Sequence, residues 1–215
     1  MLIVNVNLHA STIEGCEGIK EAFRALQPLA NITIEHWKEL PSSWTTDERW
    51  DAFVLGPNET PFPAYPSEFQ GFLHQVKTVR KPLLGICGGH QVLGLAFGST
   101  VGPVFNVLAP MTSYKGLPKV KGLVSIEVNR TGHGLMAGLT ENFTLDASHV
   151  EALQSVPAGF ELLASNDTCE IQVLGHKELP LFGVQCHPER EWSRTDGRRL
   201  LANFADVVDL EARST

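Results

Sequence analysis

Apolar residues along this chain recur with two periods. The run "LIVNVNL" (2–8) alternates around Asn5 and Asn7, as a strand entering a sheet does. Ile19, Phe23 and Leu26 then follow at helical spacing until Pro28, and Ser11 with Glu14 suggests a capping box at the start. "NITIEHW" (31–37) and "WDAFVLG" (50–56) read as a second and a third strand. A turn-rich stretch, "GPNETPFPAYP" (56–66), leads to another possible capping box at Ser67 and Gln70. Beyond it, Phe69, Phe72, Leu73, Val76 and Val79 line one helical face. "KPLLGIC" (81–87) is a short apolar strand, and "GGHQVLGLAFG" (88–98) has the pattern of a helix that opens on glycines.

The second half is richer in strand signals, near 101–107, 120–128, 160–165, 170–175 and 180–186. A closing helix over 197–212 sets Leu200, Leu201, Phe204, Val207 and Val208 on one face. Alternation of strands and helices over the first hundred residues predicts an α/β fold. The expected form is a flavodoxin-like open, mostly parallel sheet with helices on both faces and extra strands in the second half. No repeat or linker interrupts the pattern, so residues 1–215 are expected to form a single domain.

Composition narrows the function classes. A net charge of −7, with no basic cluster, argues against a nucleic-acid or anionic-membrane surface. No apolar run approaches the about 18–20 residues of a membrane helix, and "MLIVNVNLHA" lacks the basic start of a signal peptide. Four scattered cysteines without a CxxC pair suit reduced thiols in a cytoplasmic protein, and no metal or cofactor is expected.

Gly85-Ile86-Cys87-Gly88-Gly89 has the form of a nucleophile elbow with sulfur in place of oxygen. Neighbours without a Cβ let the chain fold back at a tight strand-to-helix turn and let a substrate approach. A helix N-terminus favours a thiolate, and the Gly88 N–H points toward an oxyanion formed at a carbonyl. The alternative is a buried structural thiol, common for free cysteine.

A nucleophilic thiol needs a base. His9, His36, His74, His133 and His176 fall in loops or on exposed faces. His187 differs, because "LFGVQCHPE" (181–189) is a strand ending on His187, and Pro188 keeps it out of the helical region. Glu189, two residues on, shares its side of the chain and is placed to orient the imidazole. An ordinary ion pair is the competing reading, and Cys186 beside His187 makes only a weak case for a metal.

Together, "GICGGHQVLG" and "GVQCHPE" resemble the class I glutamine amidotransferases, the Cys-His-Glu glutaminases. Gly56-Pro57, "GHGLMAGL" (132–139) and "SHVEALQSVPAGFELLASND" (148–167) extend the resemblance over most of the chain, closest to the amidotransferase domain of GMP synthetase and its stand-alone relatives. The resemblance implies that Cys87 attacks the glutamine side-chain amide, His187 serves as base and then acid, and Glu189 orients His187. It implies oxyanion donors at Gly56 and Gly88, and substrate contacts from Gln91 and from the backbone around Ser148 and His149. Ammonia would pass to a separate synthetase subunit. The alternative is a stand-alone γ-glutamyl peptidase, and a non-catalytic binding or regulatory protein of the same fold is the third reading. Three segments depart from the family pattern. Leu55-Gly56-Pro57-Asn58 stands for Gly-Gly-Pro-Gly, Ser148-His149-Val150-Glu151 for Ser-His-Gly-Asp, and Cys186 for phenylalanine.

Overall fold

A computed structural model describes residues 1–107 and 111–214 of the chain. In chain order the strands and helices are β1 (Leu2–Asn5), α1 (Glu14–Leu26), β2 (Thr33–His36), β3 (Phe53–Leu55), α2 (Phe69–Val76), β4 (Leu83–Ile86) and α3 (Gly88–Ala96). There follow β5 (Val101–Pro103), β6 (Val120–Val128), β7 (Asn142–His149), β8 (Glu151–Leu153), β9 (Phe160–Ser165), β10 (Val173–His176), β11 (Leu181–Val184) and α4 (Arg194–Ser214). The main sheet runs β2-β1-β3-β4-β11-β10-β9-β6-β7. Its first five strands are parallel and the remainder pair antiparallel. The order 2-1-3-4 with β11 in fifth place is that of the flavodoxin-like doubly wound sheet. A separate β5–β8 pair is antiparallel.

Side-chain alternation explains why helices cover both faces. Ile3, Val54, Leu84 and Ile86 point to one side and pack with Cys16, Ile19 and Phe23 of α1 and Leu200, Leu201 and Phe204 of α4. Leu2, Val4, Phe53, Leu55 and Leu83 point to the other and meet Phe69, Phe72, Leu73 and Val76 of α2 with Val92 and Leu93 of α3. Gly85 breaks this second row for a steric reason. A Cβ there would lie 2.5 Å from the Gly89 carbonyl oxygen, so its absence lets α3 settle onto the sheet.

Several expectations are corrected. Neither capping box forms: α1 is preceded by Ile13 and α2 by Glu68, and among the described residues no side chain caps either helix. The Asn5 side chain holds the turn before α1 instead, donating to Ala10 O (3.2 Å) and Thr12 O (3.0 Å). His36 is buried rather than exposed, its Nε2 2.9 Å from Asn7 O. Strands β7 and β8 were not expected, because "ENFTLDASH" mixes polar and apolar positions without a clean alternation.

Candidate functional site

The parallel strands β1, β3, β4 and β11 all end toward one cavity of about 580 Å³, the edge at which open α/β sheets carry their sites. Cys87 and His187 both line it, from the adjacent strand ends of β4 and β11. Cys87 sits at φ 52°, ψ −104°, and is the one non-glycine among the described residues with positive φ. Such a conformation persists only where its surroundings over-determine it. Glycine supplies those surroundings. A Cβ on Gly89 would fall 2.0 Å from Leu55 O, and one on Gly88 would fall 2.5 Å from the Asn58 backbone nitrogen. At the start of α3 the Gly88 N–H has no acceptor among the described residues, whereas Gln91 N donates to Cys87 O at 3.1 Å.

His187 is fixed by both backbone and side chain. Its N–H donates to Asp146 O (2.8 Å), and its carbonyl accepts from Ser193 Oγ (2.8 Å). Its Nδ1 lies 2.7 Å from Glu189 Oε1, with both side chains nearly inaccessible to solvent. Burial works against a charged ring, yet the neighbouring Glu189 carboxylate and then Cys87 raise the His187 pKa to about 10. His187 Nε2 is buried with no hydrogen-bond partner among the described residues, the atom a reacting group would meet. Helix α1 covers Glu189 at Gly18, where a Cβ would lie 3.9 Å from Glu189 Cγ.

Two other buried histidines lie near this pair and titrate in the opposite direction. Burial and then His149 push the His90 pKa down to about 3, and burial pushes His149 down to about 4. Among the described residues neither ring has a carboxylate partner to match Glu189, so charge is concentrated on His187.

Gln91 lines the cavity with its donor side committed. Its Nε2 gives hydrogen bonds to Glu151 O (2.7 Å) and Gln185 Oε1 (3.2 Å), while Oε1 is buried without a partner. Ser148 and His149 line it as well; Ser148 Oγ accepts from Lys119 Nζ at 3.2 Å, and His149 Nδ1 lies 3.0 Å from Glu151 O. Gly56 is placed differently from the expectation of an oxyanion donor. Its N–H donates to Val4 O at 3.0 Å, extending the β1–β3 ladder, and is not available to a ligand.

Gln185 and Tyr114, which sequence reasoning did not single out, and Asn58 of the departing loop also reach the site. Gln185 Nε2 is 3.9 Å from Cys87 Sγ, on the same side of the chain as His187 two residues on, a spacing legible in the sequence. Tyr114 Oη donates to Glu151 Oε2 at 2.5 Å, from a segment with no readable pattern. Burial raises the Glu151 pKa, and that hydrogen bond opposes the rise. Asn58 faces Gly88; Pro57 before it has no N–H, which made Asn58 the next donor after Gly56.

Comparison with known proteins identifies the family. A model of the family "glutamine amidotransferase class-I" matches residues 19–207. The glutamine-hydrolyzing GMP synthase subunit of Methanocaldococcus jannaschii is 36% identical over 126 residues, covering 59% of this chain and 60% of that protein. Its counterpart from Methanosarcina mazei is 37% identical over 136 residues, covering 63% and 64%. The match thus spans less than two thirds of either relative's length. A crystal structure described as a putative GMP synthase subunit from Thermoplasma acidophilum superposes with a TM-score of 0.77 at 22% identity, covering 99% of this chain and 96% of that one, a likeness of fold. With the family model matched over most of its length, this chain belongs to the class-I glutamine amidotransferases.

Proposed function

We propose that the chain, acting as one amidotransferase domain, hydrolyses the side-chain amide of glutamine through a γ-glutamyl thioester and releases ammonia to a separate synthetase partner. The observation that carries this reading is the convergence of a strained Cys87 and a buried His187–Glu189 pair on one cavity. Cys87 Sγ passes its proton to His187 Nε2 and bonds to the amide carbon, and the carbonyl oxygen becomes an oxyanion facing the Gly88 N–H and a second donor from the loop after β3. One such donor is worth on the order of 10²- to 10³-fold in rate. His187, held protonated by Glu189, gives its proton to the departing nitrogen as the C–N bond breaks. The ring then takes a proton from water, whose oxygen displaces the sulfur to give glutamate and return the thiol. Gln91 Oε1 and the Glu151 carboxylate are the acceptors for the substrate's ammonium group.

A γ-glutamyl peptidase is the second reading, favoured by the cavity itself. Its volume of about 580 Å³ lies within the roughly 300–1,000 Å³ of pockets that bury ligands larger than glutamine. Glutamate release from glutamine and from a γ-glutamyl dipeptide, beside Cys87→Ala, decides between them. Turnover of glutamine that vanishes in the variant supports the glutaminase, and turnover of the dipeptide alone supports the peptidase. If neither is turned over and a chloroketone analogue of glutamine does not label Cys87, both are excluded.

A further inference from the structure

We infer that Asn58, not Gly56, presents the second oxyanion donor, and that the buried side chain of Asn7 holds that donor in place without help from a partner protein. The inference rests on the proposed amide hydrolysis and goes beyond it, because it names a positioning residue and removes the need for a partner to order the loop.

Consider the donors available between residues 56 and 59. Gly56 N–H is spent on Val4 O at 3.0 Å, and Pro57 has no N–H. Glu59 N–H is spent on Asn7 Oδ1 at 3.0 Å. Asn58 N–H alone has no acceptor among the described residues. Its direction is fixed by the other end of its own peptide unit. The Pro57 carbonyl accepts from Asn7 Nδ2 at 3.1 Å, and in a planar trans peptide the N–H points opposite to the C=O. With the carbonyl turned to Asn7, the Asn58 N–H is turned away from it. The Asn58 nitrogen also lies so close to Gly88 that a Cβ on Gly88 would fall 2.5 Å from it, and Asn58 lines the same cavity as Cys87.

Asn7 is built into the scaffold rather than resting on it. It is 5% exposed; its Nδ2 also donates to Asn5 Oδ1 (2.9 Å) and Thr12 O (3.0 Å). Its carbonyl accepts from His36 Nε2 (2.9 Å) and Trp37 Nε1 (3.0 Å). The loop is buttressed from the other side by α1, where a Cβ on Gly15 would fall 2.5 Å from Pro57 Cγ. Asn7 and α1 thus hold the loop from two sides.

The test compares the purified 215-residue chain with Asn7→Asp and Asn58→Pro. Asn7→Asp keeps an acceptor for Glu59 N–H but cannot donate to the Pro57 carbonyl, and Asn58→Pro deletes the donor while leaving Asn7 intact. Two readings are taken: glutamine turnover, and alkylation of Cys87 by iodoacetamide, which attacks through a methylene carbon and forms no oxyanion. The parent chain is expected to turn over glutamine alone. Both variants should lose about 10²- to 10³-fold in kcat, with KM within about threefold and alkylation within about twofold. Should Asn7→Asp fail to fold, Asn58→Pro alone decides. Turnover in the variants within about threefold of the parent overturns the inference, as does alkylation that falls in step with turnover. A parent that is labelled by the chloroketone analogue but silent on glutamine until a partner is added also overturns it, and leaves the glutaminase standing. A parent neither labelled nor active removes the glutaminase, and this inference with it.

Discussion

The two strand ends that meet in the cavity are built by opposite means. At the end of β4, Cys87 is held by what its neighbours lack: Gly85, Gly88 and Gly89 each leave a space that a single carbon would overfill. At the end of β11, His187 is held by what its neighbours supply, a carboxylate on Nδ1, the Asp146 carbonyl on its N–H and the Ser193 hydroxyl on its carbonyl. A corner made by exclusion is intolerant of added volume and indifferent to pH. A corner made by charge tolerates changes of shape and responds to pH. Catalysis on an amide needs both, a nucleophile whose position does not drift and a proton carrier whose charge is controlled.

Substitutions should separate the two corners. The largest effect is expected for Cys87→Ala, with glutamine turnover down by at least about 10⁴-fold in a steady-state assay. Cys87→Gly should be equally inactive yet raise unfolding stability by about 1 kcal/mol in urea titration, because glycine relieves the positive φ. Gly89→Ala attacks the same corner through volume. Its methyl would meet Leu55 O at 2.0 Å, so a loss of about 3 kcal/mol and of activity is expected, at every pH.

Glu189→Gln attacks the other corner, with little change of shape. Turnover should fall about 10²-fold, as the ring loses the partner that holds its charge. The effect on stability should depend on pH. His187 has a folded pKa raised to about 10 from 6.5, so its pairing stabilises the fold fully below pH 6.5 and less and less as pH rises through 10. The stability gap between parent and Glu189→Gln should therefore narrow by at least about 1 kcal/mol between pH 6.5 and pH 10. A gap that stays constant over that range would show that the corner is held by shape after all.

Legibility in the sequence followed the same division. The glycines around Cys87 and the His-Pro-Glu at the end of β11 were readable because each answers a local constraint, a steric one and a strand-end one. The parallel half of the sheet was readable for a similar reason: its strands are short apolar runs between amphipathic helices. Strands β7 and β8 were not, since they are stabilised by antiparallel neighbours far along the chain rather than by their own pattern. The capping box at Ser11 failed because Asn5, at the end of β1, already ties the turn that Ser11 was expected to cap. Gly56 was assigned a donor from resemblance alone, and the ladder to Val4 consumed it. His36 was read as exposed because nothing local announces that Asn7, 29 residues away, receives its Nε2.

The central claim is that Cys87, among four buried cysteines, is the nucleophile toward a glutamine-shaped electrophile. Peptide-mapped mass spectrometry after exposure to a chloroketone analogue of glutamine tests it most directly. The account predicts one adduct, on Cys87, slowed by added glutamine and slowed further by Glu189→Gln. An adduct on Cys16, Cys169 or Cys186 with Cys87 unmodified, or labelling of Cys87 that glutamine does not slow, would contradict it.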